Sequence, residues 1–148
     1  MPEDELRQAL KVYNRQFSQY SKLKVVLVNN LIALSDQTFP GVDGLFSKTP
    51  RQDGHQKWID FIKDYWHKDC IIKKTQKAFN TSYKKWCSKN GYHYQCNKVS
   101  NIYHLASEAV TSMPYNSNTE LIIKETANEL ISLIDALDRL RKEMNRIA

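Results

Sequence analysis

The sequence predicts an all-α protein, two long helices bracketing a small basic helical insert, and three observations carry that expectation. Apolar residues recur at heptad spacing at both ends of the chain, turn residues are scarce, and positive charge gathers in the middle. Only four Gly and four Pro occur in 148 residues, too few for the frequent turns of a sandwich or barrel. A hydrophobic content of 41% is enough for one structural domain with its own core.

The first helix is read over residues 3–38. Leu6, Tyr13, Tyr20, Leu27 and Leu34 stand seven apart, and Leu10, Phe17, Lys24 and Leu31 form a second series offset by three. Such a seam is what a coiled coil sets against a partner helix. Glu3, Asp4 and Glu5 occupy the first turn, where the partial positive charge of a helix N-terminus favours anions. Phe39-Pro40-Gly41 then ends the helix. At Lys24, the one charged seam position, the aliphatic stem is expected to lie over apolar surface, the alternative being a device that fixes the register of the coil.

The pattern returns over residues 118–148, with Ile123, Leu130, Leu137 and Met144 in one series and Thr126, Leu133, Leu140 and Ile147 in the other. Ser117-Asn118-Thr119-Glu120 has the spacing of a capping box, and Arg139, Arg141, Lys142 and Arg146 crowd the last turns. Both seams span 29 residues, so each rod is about 43 Å long. Matched lengths predict an antiparallel coiled-coil hairpin with the insert at its tip. Leu23, Val25 and Ile32 beside the first seam, and Ile122, Ala127, Ile134 and Ala136 beside the second, widen the apolar stripe beyond a two-stranded coil. A homodimer or higher homo-oligomer through four helices is therefore expected.

The insert, residues 39–117, carries the charge. From Lys48 to Lys98 there are twelve Lys or Arg against four Asp, a net of +8, where the whole chain has +6. A basic unit of this kind is expected to face a polyanion, the alternative being a merely solvated lysine surface. Projected as one helix, residues 71–90 place Lys73, Lys74, Lys77, Lys84, Lys85 and Lys89 within an arc of about 160°, and Ile72, Phe79, Tyr83, Trp86 and Cys87 on an opposite arc of about 100°. Asn90-Gly91 supplies its C-terminal stop. Aromatics among the lysines would stack on the bases of a single strand; aromatics turned away leave a face that grips phosphates without reading sequence. The stretch 55–68 reads similarly, with Trp58, Ile59, Phe61, Ile62, Tyr65 and Trp66 toward a core and Asp60, Lys63, Asp64 and His67 toward solvent. A third short helix after Asn97 buries Val99, Ile102, Leu105, Ala106, Ala109, Val110 and Met113 and ends at Met113-Pro114.

Catalytic patterns are absent: no glycine loop for phosphates, no Gly-x-Ser-x-Gly and no His-Glu-x-x-His. Asp60, Asp64 and Asp69 read as solvated helix acids. His67-x-x-Cys70 and His93-x-x-Cys96 have ligand-like spacing with Cys87 nearby, yet mixed pairs are much less specific than paired Cys-x-x-Cys, and no metal, cofactor or small-molecule substrate is assigned. His55 and His104 have no evident partner. Three cysteines at irregular spacing read as reduced thiols. With no apolar run near the ~18 residues of a membrane span and acidic residues after Met1, a cytoplasmic protein without membrane contact is expected.

One further observation bears on function. Asn30-Leu31-Ile32 with Leu34, then Asp36-Gln37-Thr38-Phe39-Pro40-Gly41-Val42 and Leu45-Phe46, resembles the middle of the DEDD-type transposases of bacterial insertion sequences, whose recombination is guided by a bridge RNA. The similarity continues through Asp53-Gly54-His55, Lys57-Trp58-Ile59-Asp60-Phe61, Lys77-Ala78-Phe79, Tyr83 with Lys85-Trp86-Cys87, and Gly91-Tyr92, and so covers most of the chain. It implies an internal segment. Members of that family carry a ribonuclease-H-like domain with four metal-binding acids, where catalytic Mg would belong, before this region and a domain with a catalytic serine after it. Neither lies within these 148 residues, so no catalytic residue is carried over, and Ser35 is not assigned as a nucleophile. What the resemblance implies here is the linking coiled coil, which joins protomers and contacts DNA or guide RNA. The alternative from another class is a stand-alone helical module that binds or regulates a protein partner.

Overall fold

The computed structural model describes residues 2–148 and is all-helical, with no strand among those residues. Six helices follow one another: α1 (Glu3–Thr38), α2 (Lys57–Asp64), α3 (Asp69–Ile72), α4 (Gln76–Asn90), α5 (Cys96–Glu108) and α6 (Ser117–Ile147), with a 3₁₀ turn at Val42–Leu45. No helix among the described residues is long and apolar enough to cross a membrane.

The two long helices pack along one another, and their heptad positions are the covered ones. Leu6, Leu10, Tyr13, Phe17, Tyr20, Lys24, Leu27, Leu31 and Leu34 are all buried or half-buried, as are Ile123, Thr126, Leu130, Leu133, Leu137, Leu140, Met144 and Ile147. Coverage is uneven along the rods. In α1 only Leu31, Ser35 and Thr38, all in its last turns, are buried, whereas α6 buries Thr119, Ile123, Ala127, Leu130, Ile134 and Leu137. The reason is the insert. It lies along the flank of α6 instead of sitting as a knob at the tip: Gly54 abuts Ile134, His55 reaches Asp135, and Arg141 donates to the Gln52 carbonyl at 3.3 Å. Ala127 and Ile134, expected to face a second copy, are therefore covered within the chain.

Gly54 makes that approach possible. Its φ of 90° is a conformation side chains rarely adopt, and a Cβ there would stand 3.2 Å from the Ile134 side chain.

The C-terminus of α1 is held by the insert as well. The last carbonyls of a helix lack intrahelical donors; here the Gln37 carbonyl accepts from Ser112 N–H (3.0 Å) and Met113 N–H (3.1 Å), and the Thr38 carbonyl from Lys68 N–H (3.0 Å). Ser35 donates its hydroxyl to the Ile32 carbonyl at 3.0 Å.

The core of the insert is aromatic. Phe61 stacks on Tyr65 with centroids 4.6 Å apart and meets Phe46, Tyr83 and Trp86 at 5.0, 6.0 and 5.7 Å. Trp58 is fully buried and donates its indole N–H to Gln56 at 2.7 Å. Helix α2 ends at Asp64, so Tyr65, Trp66 and His67 lie beyond it.

Several local expectations are corrected. The single helix over 71–90 is two, because Thr75 breaks off to cap α4, its hydroxyl accepting from Ala78 N–H at 3.1 Å. The cap of α6 is Asn116, which accepts from Thr119 N–H at 2.9 Å, one residue before the serine of the expected capping box. The third short helix, α5, ends at Glu108, five residues early, leaving Ala109 outside it and Val110 86% exposed, although Val99, Ile102 and Ala106 are buried as read. The stop at Gly91 holds: with φ of 74° it lets Tyr92 N–H bond the Cys87 carbonyl at 2.8 Å.

Candidate nucleic-acid interface

The six lysines singled out by the sequence are all exposed. Thr75 redistributes them. Lys77, Lys84, Lys85 and Lys89 share one face of α4, an arc of about 140°, while Phe79, Tyr83, Trp86 and Cys87 on the opposite face are buried. Lys74, in the turn before α4, returns to that helix by donating to Ser82 at 3.3 Å. Lys73 is diverted, its ammonium 3.7 Å from the centroid of the Tyr115 ring. None of the six has a carboxylate within ion-pair distance among the described residues. Unpaired ammonium groups on one helical face form a field of a single sign, which attracts phosphate backbones and falls off with added salt.

The acids of the insert are not free either. Asp60, read as solvated, is buried and accepts from the Tyr92 hydroxyl. Asp64 accepts the Trp86 indole N–H at 2.7 Å, and Asp69 pairs with Lys68 at 3.6 Å. Turning carboxylates inward or onto neighbours leaves the cationic excess to solvent.

His67 does not project from a polar helix face. It is 2% exposed, its Nδ1 accepts from Asp69 N–H at 3.1 Å, and its Nε2 bonds the Met113 carbonyl at 3.0 Å. Both ring nitrogens are thus spent on backbone. Cys70 is half-buried, and burial pushes its thiol pKa up. Among the described residues no three His, Cys, Asp or Glu side chains come together so as to hold a metal ion.

Sequence reasoning missed His55. Its Nε2 lies 2.6 Å from Asp135 on α6 and its Nδ1 3.4 Å from Asp60 on α2, which ties the insert to the long helix. No periodic signal marks a pair 80 residues apart. Burial by itself lowers the His55 pKa, but the Asp135 hydrogen bond and the charge of Asp60 outweigh it, and the net is a rise above 6.5. A raised pKa in the folded state means that the contribution to stability is complete below about pH 6.5 and is lost as pH rises through the higher folded value. Thermal melts from pH 5.5 to 8.5 are expected to show the native chain losing stability across neutrality, and His55→Gln, which cannot take a charge, losing that component. Equal slopes for the two proteins would contradict this assignment.

No protein-family model, no curated protein and no solved structure matches the chain, so a functional reading rests on its own residues.

Proposed function

We propose that this chain is a dimerisation and nucleic-acid-contact segment of a DNA transposase of the bridge-RNA-guided insertion-sequence class, acting in the cytoplasm and without catalytic residues of its own. The observation that supports it best is the exposed, unpaired lysine face of α4 backed by a buried aromatic face. That separation suits a surface that holds phosphates of DNA or guide RNA and leaves sequence to be read elsewhere.

In this reading α1 and α6 form an antiparallel coiled-coil hairpin. Tyr20 and Leu27 share a cleft with Leu133, and Phe17 shares another with Arg141, so contacts that advance along α1 retreat along α6. The hairpin then pairs with a second copy through the groove where Leu23 and Val26, 52% and 63% exposed, lie beside Leu133 and Ala136. Glu129 and Arg139 line the same groove and have no ion-pair partner among the described residues. A two-fold axis would set each against the other's copy, which makes the groove self-complementary. The same apolar groove also favours the alternative, a module for a different protein partner.

The test is binding. Fluorescence anisotropy with a labelled duplex DNA and a structured RNA is expected to show sequence-tolerant affinity, which Lys84→Glu with Lys85→Glu lowers about tenfold while the helical signal is unchanged. Unaltered affinity in that variant would remove the lysine face from the reading. Retention of one protein partner by the variant, with no nucleic-acid binding by either form, would select the alternative.

A further inference from the structure

A second cationic site, which shares none of its residues with the α4 lysine face, lies elsewhere on the insert. Between the 3₁₀ turn, the loop leading to α2 and the residues before α5 is a cleft of about 290 Å³ whose lining includes Arg51, Lys57, Lys98, Phe46, Tyr92 and His93 but no carboxylate. Lys57 and Lys98 hold their ammonium groups over the same Phe46 ring, 5.6 and 5.4 Å from its centroid. Each is fixed by a backbone carbonyl, Lys57 by His93 at 3.1 Å and Lys98 by Leu45. Arg51 borders them, its guanidinium 4.5 Å from the Tyr92 centroid and anchored on the Asn90 carbonyl at 2.7 Å. Asp53, the acid paired with Arg51 at 3.1 Å, is not part of the lining.

Two half-buried ammonium groups held over one ring repel, and carbonyl anchors do not neutralise them. Burial, and the charge of Lys98, push the Lys57 pKa down. An anion seated between them would remove that repulsion, and the geometry is fixed before it arrives, so little side-chain entropy is lost on binding. The Ser47 and Thr49 hydroxyls in the lining are further donors for tetrahedral oxygens. Gln95, also in the lining, precedes the N-terminus of α5, whose first turn holds no acid; its amide dipoles add to the same field.

From this arrangement we infer a phosphate-ester site in the cleft, with Lys57 and Lys98 as the paired ligands and Arg51 at its rim. The phosphate comes either from a free nucleotide or from a nucleic-acid strand; the chemistry recognised is the same. The site stands independently of the α4 face and of the transposase reading.

The test uses the full chain with sodium pyrophosphate, followed by calorimetry and by thermal melting. Saturable binding that raises the melting temperature is expected, and Lys57→Met and Lys98→Met should each weaken it at least tenfold. Lys84→Glu with Lys85→Glu should leave it unchanged. Removing one of two repelling charges should not unfold the chain, and the melting curve without ligand checks this for each variant. Mononucleotide and a short oligonucleotide, titrated separately, distinguish the sources: equal affinities assign a free nucleotide, tighter oligonucleotide binding assigns a strand. Absence of saturable pyrophosphate binding would overturn the site, as would binding that neither methionine variant alters or that the α4 variant abolishes.

Discussion

Trp58→Ala is expected to lower the melting temperature by roughly 10–20 °C, the largest single-residue effect on stability in the molecule. Trp58 is fully buried, and its indole N–H is satisfied by Gln56. Truncation removes the transfer energy of a large side chain, leaves a cavity, and strands the Gln56 side-chain amide oxygen. Losses of this type run to about 3–5 kcal/mol, against about 5–15 kcal/mol for the whole fold. Val110→Ala is the matched control. The sequence pattern puts Val110 in the core, but it is 86% exposed, so its truncation should change stability by less than about 0.5 kcal/mol. Circular-dichroism melts of the two variants separate the structural account from the periodic one, and a large effect at Val110 would refute the former.

Leu23→Asp combined with Val26→Asp is expected to raise the dimer dissociation constant at least about 100-fold, or nearly 3 kcal/mol. Both side chains are more than half exposed in the single chain, so the substitutions cost the monomer little. In the proposed dimer they would place two carboxylates per copy in the groove beside Tyr20, Leu27 and Leu133, where the one lining cation, Arg139, is already matched to Glu129 of the other copy. Sedimentation equilibrium of the native chain should show dimers at tens of micromolar, and of the variant monomers with unchanged helicity. A native chain that sediments as a monomer at that concentration would remove the groove as a self-association surface.

What the sequence made legible was local. The covered heptad positions, from Leu6 to Leu34 and from Ile123 to Ile147, follow from spacing alone, because a helix that packs along another must repeat its contacts every seven residues. The inward rings of Phe79, Tyr83 and Trp86 were legible from helical spacing as well, and the stop at Gly91 from the ease with which glycine takes a positive φ. Projection failed where it assumed one unbroken helix. Thr75 offered its hydroxyl to a backbone N–H, and that interaction between near neighbours turned Lys73 away from the remaining lysines. Partners distant in sequence were invisible as well. Nothing near Asp60 announces Tyr92, and nothing near His55 announces Asp135. The flank of α6 against the insert was missed because Ala127 and Ile134 look like a wider stripe for a second copy; only the close approach of Gly54 shows what covers it.

The most direct test of the central claim, that α4 presents an unpaired lysine face to phosphates, is the salt dependence of nucleic-acid affinity. Four lysines on α4 engaged with duplex DNA predict a slope of log affinity against log salt of about −3 or steeper, reduced by about 2 when Lys84 and Lys85 are replaced by Glu. A slope near zero, or one that the double replacement leaves unchanged, would contradict the account.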